Sequence, residues 1–80
     1  MQRFFFDTEI DGMFVQDRRG LDLPDLESAR DEAEHCVRDR IAHRFQTGED
    51  FELEVMHVRD ELGRCICRLP YAAYLRGWMH

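Results

Sequence analysis

The sequence contains no lysine, so its 11 basic residues are all arginines, and they are outnumbered by 17 acidic residues. The formal net charge is -6. Proteins that bind the phosphate backbone normally carry a net positive charge or a basic stripe. Because this chain has neither, we do not expect nucleic acid among its partners. The absence of lysine does not itself indicate a function.

Long apolar runs are also missing. No stretch approaches the roughly 20 apolar residues that a membrane-spanning helix needs. The amino end, MQRFFFDTE, lacks the apolar stretch that a signal peptide needs. We therefore expect a cytoplasmic protein that has no membrane segment. In that compartment Cys36, Cys65 and Cys67 are expected to be reduced thiols rather than a disulfide framework.

Motifs of hydrolases and nucleotide-binding enzymes are absent as well. The sequence has neither a Gly-x-Ser-x-Gly elbow nor a Walker loop, and its single serine, Ser28, falls near a predicted helix start. Acidic residues are so frequent that carboxylate pairs arise by chance. The sequence therefore predicts a protein that is not an enzyme and needs no cofactor.

The chain has the composition of one globular domain over residues 1–80. It is 44% hydrophobic and 35% charged, and it shows no repeat, low-complexity tract or linker. A domain of this size buries only about 60% of the surface that its unfolded chain exposes, so its stability margin is small. A partner subunit is a common way to enlarge such a core.

The amino-terminal third predicts a β-hairpin. Strands at Arg3 to Ile10 and Met13 to Gln16 flank Asp11-Gly12, a pair typical of two-residue hairpin turns. With that turn, alternation places six residues toward the core and leaves Phe5 and Phe14 on the opposite face. The six predicted core residues are Phe4, Phe6, Thr8, Ile10, Met13 and Val15.

The middle of the chain predicts one long helix that begins after Asp25, a favourable N-cap, and ends at Thr47-Gly48. Acidic residues crowd its first half and arginines its second half, which complements the helix dipole. Its apolar residues recur at helical spacing. They are Leu26, Ala29, Ala33, Cys36, Val37, Ile41 and Phe45.

A second hairpin is predicted from Phe51–Arg59 and Arg64–Leu69, around a turn closed by Gly63. Alternation assigns Met56, Val58, Cys65, Cys67 and Leu69 to one face, and Phe51, Leu53, Val55 and Ile66 to the other. After Pro70, the segment PYAAYLRGWMH predicts a short helical tail that ends near Gly77.

These elements predict an α+β fold of ββαββ order, in which two hairpins form an antiparallel sheet and the long helix packs on one face. One helix covers only one face, so the other must be covered by the tail or by another subunit. We therefore predict a homodimer. The predicted interface residues are Phe5, Phe14, Phe51, Leu53, Val55, Ile66, Tyr71, Tyr74 and Trp78.

Two groups of residues are weak candidates for a metal site. His35, Asp39 and His43 share one helix face, but they spread over two turns and a solvated face explains them better. Cys65 and Cys67, with His57 on the facing strand, lack a second ligand pair at zinc-site spacing. Buried core thiols are the favoured interpretation, and a metal or redox module remains an alternative.

Four segments, RFFFD, DG, D..GLDLPDLESARDEA and VRDELGR, resemble a family of small bacterial proteins known only as a domain of unknown function, family 6894. The resemblance covers residues 2–69 and is most specific in LPDLE.A..EA. It implies a compact ββαββ unit without assigned active-site residues. The two strand cysteines and the aromatic tail depart from the family pattern.

The predicted function is a small non-catalytic interaction module that self-associates. A weaker similarity of layout, a hairpin followed by PDL and an acidic helix, is to the antitoxin component of HicA/HicB-type toxin–antitoxin pairs. That similarity implies an alternative role as a regulatory partner of a small basic protein.

Overall fold

The structure is a computed structural model that describes residues 1–49 and 53–78, with the side chains of residues 75–78 left out of the description. Two predicted interface positions, Phe51 and the side chain of Trp78, therefore lie outside the described residues.

Strands β1 (Gln2–Ile10) and β2 (Met13–Val15) form the predicted amino-terminal hairpin. Asp11 and Gly12 have φ values of 51° and 79°, the left-handed pair that a type I′ turn requires. Ile10 pairs with Met13, as the two-residue turn predicts.

A third short strand, β3 (Leu21–Leu23), continues along the same edge of β1. Thr8 pairs with Val15 in β2, whereas Phe4 pairs with Leu21 in β3. The chain therefore leaves the edge of β1 after β2, forms a loop at residues 16–20, and returns to the edge. We call residues 16–20 the edge loop. The sequence predicted no strand here because three residues are too few for a periodic signal.

Helix α1 (Leu26–Thr47) has the predicted ends. The Asp25 carboxylate accepts a hydrogen bond from the Ser28 N–H at 2.7 Å, and Gly48, with φ 76°, donates its N–H to the Arg44 carbonyl at 2.8 Å. These contacts satisfy backbone groups that a helix leaves unpaired at its ends. The buried face of α1 is made by Ala29, Ala33, Val37 and Ile41.

Strands β4 (Val55–Arg59) and β5 (Cys65–Pro70) complete an antiparallel sheet ordered β2-β1-β4-β5, with β3 beside β1. Helix α1 packs over β4, β5 and β3. The fold is α+β, as predicted. The buried core consists of Phe4, Ala29, Ala33, Val37, Ile41, Met56, Val58, Leu69 and Tyr71.

The carboxy-terminal helix α2 (Tyr71–Trp78) lies beside α1, so the tail does not cover the opposite face of the sheet. Tyr71, a predicted interface residue, is fully buried in the core and offers no surface to a partner. Its N–H donates to the Glu54 carbonyl at 2.9 Å, and its hydroxyl accepts from Arg40 at 3.2 Å. These two contacts place α2 on the helix side.

A β-bulge in β5 changes the predicted faces of two residues, Cys65 and Ile66. Val58 pairs with Cys67, but Arg59 pairs with Cys65, so Ile66 is an extra residue. Cys67 stays on the helix side, as predicted, whereas Cys65 moves to the opposite face. The alternation predicted Ile66 on the opposite face, but Ile66 packs against the core on the helix side.

The predicted core positions of the first hairpin are only partly buried. Phe4 and Thr8 are buried, and Phe6 and Ile10 are half-buried. Met13 and Val15 are exposed, contrary to the prediction. They point to the helix side, but α1 lies over β4, β5 and β3 and leaves β2 uncovered.

Among the described residues, no helix is both long and apolar enough to cross a membrane.

Gly20 in the edge loop has no room for a side chain. Its φ is +71°, and an added Cβ would lie 2.7 Å from the Arg3 Cγ and 2.9 Å from the Phe4 carbonyl oxygen. We expect Gly20→Ala to lower the free energy of unfolding by about 1 to 2 kcal/mol through backbone strain, and by about 1 to 3 kcal/mol more through overpacking. Urea denaturation measures the loss.

The matched control is Gly63→Ala, because Gly63 also has a positive φ, +81°, but an added Cβ there meets no atom within 4 Å. Gly63→Ala should lower the free energy of unfolding only by the contribution of backbone strain. Equal losses in the two variants would contradict the tight packing at Gly20.

Candidate functional site on the second face of the sheet

The face of the sheet turned away from α1, here called the second face, carries charged side chains as well as the predicted apolar residues Phe5, Phe14 and Val55. Residues that pair across β1, β4 and β5 share this face because direct antiparallel partners point the same way. The register assigns to it Phe5, Asp7, Glu9, Val55, His57, Arg59, Cys65 and Arg68, with Phe14 from β2.

Asp7 and Arg59 form a buried ion pair at the centre of the second face. Asp7 is only 5% exposed. Arg59 Nη2 donates to Asp7 Oδ1 at 3.2 Å, and Arg59 Nε donates to the other carboxylate oxygen. The hydrogen bond from Arg59 to Asp7 is the main cause of a raised pKa for Arg59. A buried carboxylate is stable only when it is paired and hydrogen-bonded in this way.

Asp17 connects this ion pair to the edge loop. Its backbone N–H donates to Asp7 Oδ1 at 2.9 Å, and its carbonyl accepts from Arg59 Nη2 at 3.4 Å. Its carboxylate accepts from the N–H groups of Phe6, Arg19 and Gly20 at 3.0 to 3.2 Å. On the edge of β1 away from β4, Phe6 lies in the gap between β2 and β3, so the Asp17 carboxylate replaces a missing sheet hydrogen bond there.

These contacts also determine the protonation of Asp17. Burial by itself would raise the pKa of this carboxyl group. The N–H donors of Phe6, Gly20 and Arg19, together with the charge of Arg59, outweigh burial and leave the pKa of Asp17 below its ordinary value. The Asp17 carboxylate is therefore ionised wherever the fold is intact near neutral pH.

Phe5 is engaged with this cluster. The Arg59 guanidinium carbon lies 4.9 Å from the centre of the Phe5 ring, a cation–π contact, and Phe5 is half-buried. Val55, another predicted interface residue, is only 7% exposed, so it offers almost no surface to a partner.

Tyr74 is also half-buried, with the Arg38 guanidinium carbon 5.8 Å from its ring centre. Leu53 is exposed.

A row of three polar side chains crosses the second face from β1 to β5. His57 Nε2 lies 3.0 Å from Glu9 Oε1, and His57 Nδ1 lies 3.9 Å from the Cys65 sulfur. The Phe14 ring packs on the imidazole, with ring centres 4.9 Å apart. The sequence paired His57 with the two cysteines as a candidate group. It missed Glu9, which lies 48 residues away in the chain.

The helix-face metal candidates do not converge. His35 Nε2 contacts Asp39 at 3.4 Å, and both side chains are exposed, while His43 faces a groove between α1 and the hairpin. In residues 1–49 and 53–78 no three histidine, cysteine, aspartate or glutamate side chains are grouped to hold a metal ion.

The groove beside His43 is open and has a volume of about 400 Å³. Arg40 Nη1 crosses its floor and donates to Thr8 Oγ1 at 2.6 Å and to the Tyr71 hydroxyl at 3.2 Å. Burial raises the pKa of Tyr71, so this hydroxyl keeps its proton near neutral pH. The lining residues are Thr8, Ile10, Val15, Asp39, Arg40, His43 and Arg44.

The largest continuous apolar exposure along one strand is at β2. Met13, Phe14 and Val15 are 74%, 62% and 58% exposed. Because successive strand residues point to opposite faces, this strand presents apolar side chains on both faces at once.

Residues 3–72 match the model of the family described as Domain of unknown function (DUF6894). No curated protein and no solved structure matches the chain.

Asp17→Asn tests the link between the edge loop and the ion pair. The pKa of Asp17 is lower in the folded than in the unfolded state. Its carboxylate therefore stabilises the fold at pH values above the unfolded-state pKa of about 3.9. This stabilisation is lost as the pH falls through the folded-state pKa. We expect the free energy of unfolding of the variant to be about 1 to 3 kcal/mol below that of the parent protein at neutral pH. The difference should become smaller in acid.

Urea denaturation at a series of pH values measures this difference. Asp31→Asn, at an exposed helix position, is the matched control and should follow the parent protein at each pH. If Asp17→Asn lowered the free energy of unfolding by the same amount at every pH, including the most acidic, an ionised Asp17 carboxylate would not be the stabilising group.

Proposed function

Since the chain belongs to the DUF6894 family, which is described only as a domain of unknown function, we propose from its geometry that it is a non-catalytic interaction module that dimerises through strand β2. This proposal keeps the predicted self-association but moves the contact from the whole second face to one edge of the sheet.

The exposure of β2 carries the proposal. Strand β2 is last in the sheet order, and among the described residues its outer edge pairs with no other strand. Folded proteins usually protect such edges with charged residues, proline or a covering segment. Here the three edge residues Met13, Phe14 and Val15 are all apolar and exposed. A second strand would satisfy the free backbone groups and bury these side chains together.

A second copy of the chain fits this edge because an antiparallel pair of identical strands is self-complementary. A two-fold axis at Phe14 would place Met13 of one copy opposite Val15 of the other, and would join two sheets into one. Such an isologous contact closes as a dimer and leaves no further β2 edge for growth.

Charge also favours a second copy. Asp11 precedes β2 and Arg18 follows it, and both residues are exposed. Antiparallel pairing would bring the Asp11 end of one strand near the Arg18 end of the other. A negative and a positive strand end would then lie near each other at both sides of the apolar centre, which favours antiparallel over parallel pairing.

The buried charged cluster of the second face supports a non-catalytic role. Asp7, Asp17 and Arg59 are engaged with one another and with backbone groups of the edge loop. Their contacts hold strands together and are fully used by the fold.

Val15→Lys is the test of this proposal. Lysine on a strand edge opposes pairing because its charge would have to be desolvated, so we expect the dissociation constant to rise at least about tenfold, which corresponds to ~1.4 kcal/mol. Size-exclusion chromatography with light scattering over a concentration series measures it.

Leu62→Lys is the matched control, because Leu62 is as exposed as the β2 residues but lies in the β4–β5 turn. It should dimerise like the parent protein. A parent protein that is monomeric at tens of micromolar, or equal weakening in both variants, would overturn the proposal.

A further inference from the structure

We propose that Cys65 is a reactive thiol and a modification site, at which a low-molecular-weight disulfide forms a mixed disulfide with the protein. In this site His57 takes up the thiol proton, and Glu9 is a positioning residue that orients His57. The proposal concerns the row of side chains on the second face and does not require dimerisation through β2.

The three side chains lie in line on three neighbouring strands. The Cys65 sulfur has two acceptors within reach, His57 Nδ1 at 3.9 Å and the Cys67 carbonyl oxygen at 3.6 Å. Of these two groups only the imidazole can accept the proton outright. A thiol must lose its proton to become a nucleophile, so a neighbouring base determines its reactivity.

Glu9 determines which nitrogen of His57 is available. An ionised carboxylate only accepts hydrogen bonds, so the 3.0 Å contact requires that His57 Nε2 carries the hydrogen. In the neutral ring this leaves the lone pair on Nδ1, which is the nitrogen nearest Cys65. The carboxylate also stabilises the imidazolium that forms when the thiol proton arrives.

The site is accessible on one side and supported on the other. Cys65 is exposed, whereas the side chains of His57 and Glu9 are only 13% and 27% exposed. The Phe14 ring packs against the imidazole and limits its movement. Arg68 pairs with His57 across β4 and β5, so its side chain belongs to the same face.

The other two thiols lack this environment. Cys36 packs on the core, and burial is the main cause of its raised pKa, followed by the charge of Glu32. Cys67 is half-buried on the helix side. Neither is within reach of an imidazole among the described residues. The bulge at Ile66 is the cause of the difference, because it turns Cys65 and Cys67 to opposite faces.

The proposed step is a thiol–disulfide exchange in which the small disulfide is the oxidant. The Cys65 proton moves to His57 Nδ1, and the thiolate attacks one sulfur of the disulfide. A new sulfur–sulfur bond forms to Cys65 as the bond within the small disulfide breaks. The departing thiolate takes the proton from His57, so one free thiol is released for each Cys65 modified.

The mixed disulfide has no route to an internal disulfide. Resolution would need a second thiol on the second face, but Cys67 points to the opposite face and Cys36 lies on α1. The product therefore persists until an external thiol removes it. This distinguishes a reversible modification site from a dithiol oxidoreductase.

The test follows the reaction of the whole protein with hydroxyethyl disulfide, using fragment mass spectrometry to separate the three cysteines. We expect Cys65 to react at least about tenfold faster than Cys36 or Cys67, because only Cys65 has a paired base. His57→Gln should slow Cys65 about tenfold without accelerating the other two cysteines. His43→Gln, which alters a histidine on α1, is the control and should leave the rate unchanged.

A second variant, Glu9→Gln, keeps the imidazole and removes the carboxylate. It should slow Cys65 by a smaller factor than His57→Gln does. It should also change the imidazole nitrogen chemical shifts of His57, which report the tautomer and would not respond to a purely structural role. Equal rates for all three cysteines, or an unchanged Cys65 rate in both variants, would overturn the proposal.

Discussion

The ion pair of Asp7 with Arg59 is the contact on which the arrangement of the sheet depends. A charge removed from water costs several kcal/mol unless its partners replace the lost hydration. Here the Asp7 carboxylate receives two bonds from the Arg59 guanidinium and one from the Asp17 N–H. The ion pair joins β1 to β4, and Asp17 joins both to the edge loop. Burial of Asp7 therefore requires the loop to be in place.

The edge loop in turn divides one edge of the sheet into two short strands. β3 lies under the start of α1, whereas β2 extends beyond the helix and leaves Met13, Phe14 and Val15 in solvent. The surface proposed for dimerisation is thus a consequence of how the interior charge is satisfied. The same register brings Glu9, His57 and Cys65 into one row. The stability of the sheet and the positions of both candidate surfaces thus depend on the same strand arrangement around Asp7 and Arg59.

Local signals in the sequence predicted much of the fold. The Asp11-Gly12 turn follows from the need for two positive φ values, and the ends of α1 follow from Asp25 and Gly48. Long-range features were missed for a physical reason. Arg59 is separated from Asp7 by 52 residues, and no periodic pattern records which charges will meet. The burial of Tyr71 likewise depends on Arg40 and Glu54, which lie in other elements.

The sequence by itself determined the family, the α+β order of elements and the register of the first hairpin, because turns, caps and periodicity act between neighbours in the chain. Only the tertiary structure decided which side chains are exposed and which face each strand residue takes. A single inserted residue, Ile66, reverses the face of Cys65, since side chains alternate with a period of two. The position of α1 across the sheet decided that β2, and not the whole second face, is the exposed apolar edge.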